Sequence, residues 1–256
     1  MLHGSCAHRD FFIYSACDSK YFDDFGRTLV RSAQTNSNHL IHIHLYNPRD
    51  DQLDYCNSIK DLSITYEYVP QTLFHAAVAN LESSSQLIHH ERSVTAMKKS
   101  NDQSLAERLQ KTYYACARFV RLWEIIASDA QVLAVDSDAV IRQNVLMLSD
   151  HDFYIHHITG AKARYLAGGV MLPGKPGGYQ FLSEYAQELI KYINSDYLYW
   201  SLDQDVLDAI VPKYFWGNLP KTYIDWDMHP ASYIWTAKGQ RKERAVFVNE
   251  QKKYTA

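Results

Sequence analysis

The sequence predicts an α/β protein, a single domain over residues 1–256 in which a mainly parallel central sheet is flanked by helices. Three observations carry this expectation. The first third of the chain alternates strand, helix, strand, helix and strand patterns. Its strands are short apolar runs, as in strands buried on both faces. No internal repeat and no linker rich in Gly, Ser or Pro divides the 256 residues, a length long for one ordinary domain and short for two. Apolar residues make up 46% and charged residues 21%, enough for a sizeable core and against general disorder.

Phe11 to Cys17 is a continuous apolar run ending at Asp18, a strand that delivers its C-terminal end to a polar site. Tyr21, Phe22, Phe25, Leu29, Val30 and Ala33 then recur at helical spacing up to stop signals at Asn36 and Asn38. Leu40 to Tyr46 alternates Ile41, Ile43 and Leu45 with His42 and His44 before Asn47-Pro48. A helix near Asp51 to Asp61 precedes a strand from Ile64 to Val69. From about Leu81 to Glu107 no period is sustained, and a mobile loop containing the run Met97 to Gln103 is expected there. Arg108 to Ser128 is the best helix, with Leu109, Tyr113, Ala117, Val120, Trp123 and Ala127 on one face. It leads into a strand from Val132 to Val135 that ends in Asp136-Ser137-Asp138. Beyond it come a strand at Phe153 to Ile158, a glycine-bracketed strand at Gly168 to Leu172, a helix from about Tyr179 to Ile193 and another starting at Asp203. Pro212, Gly217 and Pro220 break the C-terminal quarter into short pieces, ending with a strand at Tyr233 to Thr236. The tail after Gly239 is locally basic, either a solvated terminus or a lid facing phosphate.

A formal net charge of -3 gives no basic field to draw the chain to nucleic acid. The apolar runs are far shorter than a membrane span, so no transmembrane helix is expected. His3, His8, Arg9 and Asp10 stand where a secretory peptide would be apolar, and the expected location is the cytoplasm. Cys6, Cys17, Cys56 and Cys116 form no CxxC pair and are expected to be reduced thiols, at least two of them in the core.

Asp136 and Asp138 sit at the C-terminal end of a buried strand, where open α/β sheets place ligands. Two carboxylates one residue apart converge on one hard cation and through it on a diphosphate; the alternative is a pair of turn-capping aspartates. Arg118 lies in an otherwise apolar helix face, either a buried guanidinium needing anionic partners or a surface arginine with its stem on the core. Arg121 fits the second description better. His42 and His44, and the pairs His89-His90 and His156-His157, read as structural or surface residues, because adjacent pairs chelate metals poorly. Trp200, Trp216, Trp226 and Trp235 crowd the C-terminal quarter as sugar platforms or core residues.

Tyr113 to Asp138, with Tyr114-Ala115-Cys116-Ala117-Arg118-Phe119 and then Val132-Leu133-Ala134-Val135-Asp136-Ser137-Asp138, resembles nucleotide-sugar glycosyltransferases of the Rossmann-like GT-A fold, in particular glycosyltransferase family 8. Ala16-Cys17-Asp18-Ser19-Lys20-Tyr21 is similar to that family's nucleotide-binding turn, with Lys20 where Asn is usual. Ala167-Gly168-Gly169-Val170-Met171-Leu172, Asp203-Gln204-Asp205-Val206-Leu207 and Leu219-Pro220 before Tyr223 match further elements in order and spacing.

The resemblance implies a nucleotide-binding part over about 11–140, an acceptor-binding part over about 141–239 and a basic tail over 240–256. It implies that Asp18 hydrogen-bonds the uracil base and Tyr21 stacks on it, with Ala16, Arg118, Asp136, Ser137, Gly239 and Lys242 completing the nucleotide site. Asp136 and Asp138 would hold Mn2+ or Mg2+, Gly168 and Gly169 would border the sugar or acceptor, and Asp203 and Gln204 would face the anomeric carbon. The family's closing His-x-x-Gly-x-x-Lys becomes Thr236-Ala237-Lys238-Gly239-Gln240-Arg241-Lys242 here. A hydroxyl replaces the imidazole ligand, leaving His229, Asp225 and Asp227 as candidates for the third metal position.

The activity implied is metal-assisted transfer of a hexose from a UDP-sugar to a glycan or lipid-linked sugar with retention. An inverting transferase using Asp203, Asp205 or Asp208 as base, a sugar-nucleotide binding protein without turnover, and a dehalogenase-like phosphatase with Asp136 as nucleophile are the alternatives.

Overall fold

A computed structural model describes residues 1–6, 10–74, 105–160, 163–194, 198–199 and 201–255. Of the loop expected over about 81–107, residues 81–104 lie outside the described residues, as do His8, Arg9, His89, His90 and Trp200, and residues 105–107 are helical instead.

The strands are β1 (His3–Gly4), β2 (Phe12–Asp18), β3 (Leu40–Tyr46), β4 (Leu62–Glu67), β5 (Gln131–Val135), β6 (Val140–Ile141), β7 (Phe153–Ile158), β8 (Arg164–Pro173), β9 (Trp216–Asn218) and β10 (Ile234–Trp235). The helices are α1 (Ser19–Tyr21), α2 (Arg27–Asn36), α3 (Asp50–Asn57), α4 (Leu105–Ile125), α5 (Pro176–Asn194), α6 (Leu202–Ile210) and α7 (Ala245–Lys252). Among the described residues, eight strands form one sheet in the order β1-β4-β3-β2-β5-β8-β7-β9, and β10 pairs with β6 in a small second sheet. The β4-β3-β2-β5 block is parallel and β7 pairs parallel with β9, whereas β8 runs antiparallel to both β5 and β7. The mainly parallel expectation holds, with β8 and the short edge strand β1 as the reversed strands.

The period of two along each strand sorts its side chains into two cores. Phe12 and Tyr14 of β2, Val132 and Ala134 of β5, and Val170 and Leu172 of β8 pack with α4, α5 and α6. Ile13 and Cys17, Leu133 and Val135, and Met171 face α2 and the Leu219–Ile224 segment. Both faces are covered, which is why these strands are mainly apolar, and the buried Ser15 of β2 is satisfied by donating to the Val135 carbonyl at 2.9 Å.

The helix expected from Tyr21 to Ser37 is a composite, because a π-helical turn at Phe22–Gly26 joins α1 to α2. At Gly26 an added Cβ would meet the Phe22 ring at 2.6 Å, so the glycine lets the ring fold back over the turn. The tail is not a solvated terminus. Phe247 of α7 is fully buried, and Glu250 takes an ion pair from Arg142 at 3.0 Å.

His42 and His44 are both fully buried and structural. His42 Nδ1 bonds Ser63 Oγ at 2.7 Å, His44 Nδ1 bonds Thr65 Oγ1 at 2.9 Å, and His44 Nε2 lies 3.5 Å from Glu67. Arg121 is no isolated surface arginine, since it clamps Glu67 with two bonds of 2.8 and 2.7 Å. Burial opposes the charge on Glu67, but the His44 contact and the Arg121 grip together outweigh it and hold the carboxyl down at about 2. All four cysteines are free thiols and three are buried. Among the described residues no helix is long and apolar enough to cross a membrane.

Candidate active site

A cavity of about 410 Å³ opens where β5 ends, β8 begins and α6 starts. It is walled by α4 and closed by the 236–242 segment. An adjoining cavity of about 320 Å³ lies over the end of β2. Tyr21, Arg118, Asp136 and Asp138 line both. Gly168, Asp203, Gln204, Gly239 and Lys242 line the first, and Ala16, Asp18 and Ser137 the second.

Arg118 organises the floor. Its Nη1 donates to Asp136 Oδ1, its Nη2 donates to the Ala167 carbonyl at 2.7 Å, and Nη2 lies 3.9 Å from Asp203 Oδ2. Its side chain is 11% exposed, which settles the question left open by the sequence: it is a buried guanidinium with anionic partners. The α4 turn that carries it is fixed by the Tyr14 hydroxyl, which donates to the Arg118 carbonyl at 2.8 Å. Burial pushes the Asp203 carboxyl up, and the Arg118 charge opposes that shift.

Asp136 and Asp138 differ in setting. Asp136 has a side chain 41% exposed and Asp138 one 12% exposed. Burial first, and the neighbouring Asp136 charge second, push the Asp138 carboxyl up, while the Arg118 charge and the ammonium of Lys242 at 2.8 Å favour its anion, and the ion pair is the state this geometry holds. Lys242 Nζ lies 2.8 Å from Asp138 Oδ2 and also donates to the Tyr21 hydroxyl. It sits 4.5 Å from the Tyr21 ring centre and 4.6 Å from that of Phe25. Burial lowers its ammonium pKa to about 8.

At the end of β2, Asp18 caps α1 by accepting from the Tyr21 amide at 2.7 Å. Burial raises its carboxyl, with the Lys111 charge opposing. Gly168 allows the floor to close, because a Cβ there would meet Asp136 Oδ2 at 2.8 Å.

Two residues expected at the site are elsewhere. Gly169 lies one position from Gly168 on a strand, so it faces the other core, where a Cβ would meet Ile224 at 2.4 Å. His229 is exposed, and its Nδ1 accepts from the Ala231 amide at 3.3 Å. Asp225 is consumed in holding that loop, accepting from the Asp227 and His229 amides and the Ser232 hydroxyl at 2.8, 2.7 and 2.7 Å. Asp227 pairs with Lys221 in solvent. Among the described residues no three His, Cys, Asp or Glu side chains gather as a metal-holding group, so His229 does not join Asp136 and Asp138.

The residues that do gather fit a hard cation. Asp136 and Asp138 offer carboxylate oxygens, and Thr236 Oγ1 is buried in the same cavity without a hydrogen-bond partner. An all-oxygen set of this kind suits Mg2+ or Mn2+ whose coordination a diphosphate and water complete. Gln204 Oε1 is likewise buried and unpartnered at the cavity wall.

Lys111, Thr112 and Ala115 of α4, Ser201, Trp226 and Lys238 also line the cavities. The spacing 111, 115, 118 marks one helix stripe, a signal that pointed away from the apolar face used to recognise α4. Ser201 has a left-handed φ of 71° at the start of α6, which no sequence pattern announced. Of the tryptophans described, only Trp226 reaches the cavity. Trp216 packs on Tyr165 at 5.0 Å, and Trp235 stacks with Arg142 at 3.8 Å. Asp205 and Asp208 turn outward, to Arg164 at 3.8 Å and to the Tyr165 amide at 3.0 Å.

No family model and no curated protein matches the chain. Solved structures do. The galactosyltransferase LgtC, in a complex with donor and acceptor sugar analogs, superposes with a TM-score of 0.50 at 12% identity, over 96% of this chain and 96% of LgtC. The glycosyltransferase GlyE of Streptococcus pneumoniae gives 0.54 at 13% identity, over 96% of this chain and 60% of GlyE. The bifunctional glycosyltransferase WbbM gives 0.54 at 10% identity, over 95% of this chain and 50% of WbbM. This chain therefore spans nearly all of LgtC but only about three fifths of GlyE and half of WbbM. What these likenesses establish is the architecture: the chain has the GT-A glycosyltransferase fold.

Proposed function

We propose that the chain is a glycosyltransferase of family 8 type that moves a hexose from a UDP-sugar to a hydroxyl of a glycan or lipid-linked sugar, with retention at the anomeric carbon. The observation that carries this reading is the convergence of Arg118, Asp136, Asp138, Asp203 and Lys242 on one cavity at the C-terminal ends of parallel strands. The uridine belongs in the smaller cavity beside Asp18 and Tyr21, the diphosphate against Lys238 and Lys242, and the sugar toward Asp203 and Gln204.

In the transfer, the bond from the anomeric carbon to the β-phosphate oxygen breaks and its electron pair stays on that oxygen. The acceptor oxygen bonds to the same face of the carbon, and its proton passes to the leaving phosphate. Arg118 fixes Asp136 and holds Asp203 near the carbon that becomes electron-poor, where its carboxylate stabilises the developing positive charge. Lys238 and Lys242 meet the charge building on the leaving group, and Gln204 Oε1 is free to accept from a sugar hydroxyl. When bound, Mn2+ or Mg2+ held by Asp136 and Asp138 would supply Lewis-acid neutralisation of the diphosphate.

Calorimetric titration of the purified protein with UDP and with GDP, each with Mn2+, Mg2+ or chelator, tests the reading. Binding of UDP in preference to GDP, followed by hydrolysis or transfer from a UDP-hexose, is expected. Binding of neither nucleotide under any of these conditions would refute it.

A further inference from the structure

We infer that Lys242 keeps the cation site closed until a diphosphate arrives, so that metal and nucleotide enter together. The inference rests on the reading of the cavity as a nucleoside-diphosphate site and adds a binding order to it. Three observations support it. The buried Asp138 carboxylate is already engaged, at 2.8 Å, by the ammonium of Lys242. Asp136 is likewise engaged by Arg118, so neither carboxylate is unpaired. The third oxygen is the neutral Thr236 hydroxyl, and among the described residues no further His, Cys, Asp or Glu completes a set of three. A free divalent ion would have to displace an ammonium from a buried carboxylate and gain only two charged ligands. A diphosphate changes both terms, because it supplies metal-ligating oxygens and offers Lys242 another anion.

The surroundings of Lys242 let it make that exchange. Its ammonium rests on the Tyr21 hydroxyl and between the Tyr21 and Phe25 rings. The segment that carries it begins at Gly239, where φ is +60° and no atom lies within 4 Å of an added Cβ. Arg118, by contrast, is held by the Ala167 carbonyl as well as by carboxylates, and it stays in place.

The test is Mn2+ binding to the full chain, read by electron paramagnetic resonance of the free ion, with and without UDP. In the wild type, saturating UDP is expected to tighten Mn2+ at least about tenfold, and Mn2+ to tighten UDP by the same factor, as linkage requires. Lys242→Ala should bind Mn2+ alone about tenfold more tightly than the wild type, since Asp138 is released. Lys242→Arg, which keeps a cation on Asp138, should behave as the wild type and also guards against a folding defect in the alanine variant. Lys238→Ala removes a charge from the same cavity that acts on Asp138 only through space, and should tighten Mn2+ alone far less than Lys242→Ala does. Equal Mn2+ affinity with and without UDP, or equal tightening by both alanine substitutions, would overturn the inference and leave the donor site standing. Failure of UDP to bind at all would overturn the donor reading and the inference with it.

Discussion

Replacing Arg118 with Met removes the group on which three acceptors depend. The side chain is 11% exposed, and its guanidinium donates to Asp136 and to the Ala167 carbonyl and faces Asp203, itself 8% exposed. Taking one partner from a buried ion pair costs about 3–5 kcal/mol, because the remaining charge is left without compensation. Asp136 can turn partly to water, being 41% exposed in its side chain, whereas Asp203 cannot. The lower end of that range, about 3 kcal/mol, is therefore expected for the methionine variant. Arg118→Lys keeps one charge but cannot span Asp136 and the Ala167 carbonyl at once, and should lose about 1.5–3 kcal/mol, the worth of one hydrogen bond involving a charged group. Urea unfolding followed by tryptophan fluorescence measures both. Losses under about 1 kcal/mol in both variants would refute the account of Arg118 as the buried organiser of the floor, since surface ion pairs contribute no more than that.

Glu67 provides a pH signature away from the cavity. Its carboxyl is depressed from 4.5 to about 2 by Arg121 and His44, so the stability it contributes is complete above about 4.5 and is lost as pH falls toward 2. The difference in unfolding free energy between the wild type and Glu67→Gln should shrink across that window by about 2–3 kcal/mol, allowing for partial solvent screening of Arg121; a pH-independent difference would contradict it. Gly168→Ala and Gly169→Ala should separate site from core. The first crowds Asp136 Oδ2 at 2.8 Å and should weaken UDP binding in the presence of Mn2+ about tenfold with the fold intact. The second meets Ile224 at 2.4 Å and should cost about 1–3 kcal/mol of stability while leaving UDP affinity unchanged. Asp136→Ala or Asp138→Ala should lower transfer from a UDP-hexose by at least about a hundredfold, the scale of losing one preorganised electrostatic contact, whereas the outward-facing Asp205→Ala should retain it.

Much of the architecture was legible locally. Runs such as Phe12–Cys17 and Val132–Val135, each stopped by aspartate, are recognisable because a strand buried on both faces is mainly apolar and exposes polar residues where pairing ends; Ser15 interrupts the first run and is accommodated by its bond to the Val135 carbonyl. The helical period of Leu109, Tyr113, Ala117 and Val120 marks α4 for the same kind of reason. The π-helical turn at Phe22–Gly26 was not legible, since it depends on a ring folding over a glycine, a packing event with no period of its own. The pairing of Arg121 with Glu67 has no local signature, because the partners lie 54 positions apart, on α4 and β4.

At the site, the chain order of Asp18, Tyr21, Arg118, Asp136-Ser137-Asp138, Gly168, Asp203-Gln204 and Gly239 to Lys242 is a property of the sequence, and it was enough to name the residues that meet. Only the tertiary structure decided which of them share a face. The pleat sends Gly168 to the cavity and Gly169 to the opposite core, and the Asp225 hydrogen bonds turn His229 away from the aspartates. The ion pair between Lys242 and Asp138 forms across 104 positions because the tail packs Phe247 into the core and brings the basic segment back over the strand ends. Local pattern dictates which atoms a segment presents, but the partners that neutralise buried charge are set by packing between distant segments.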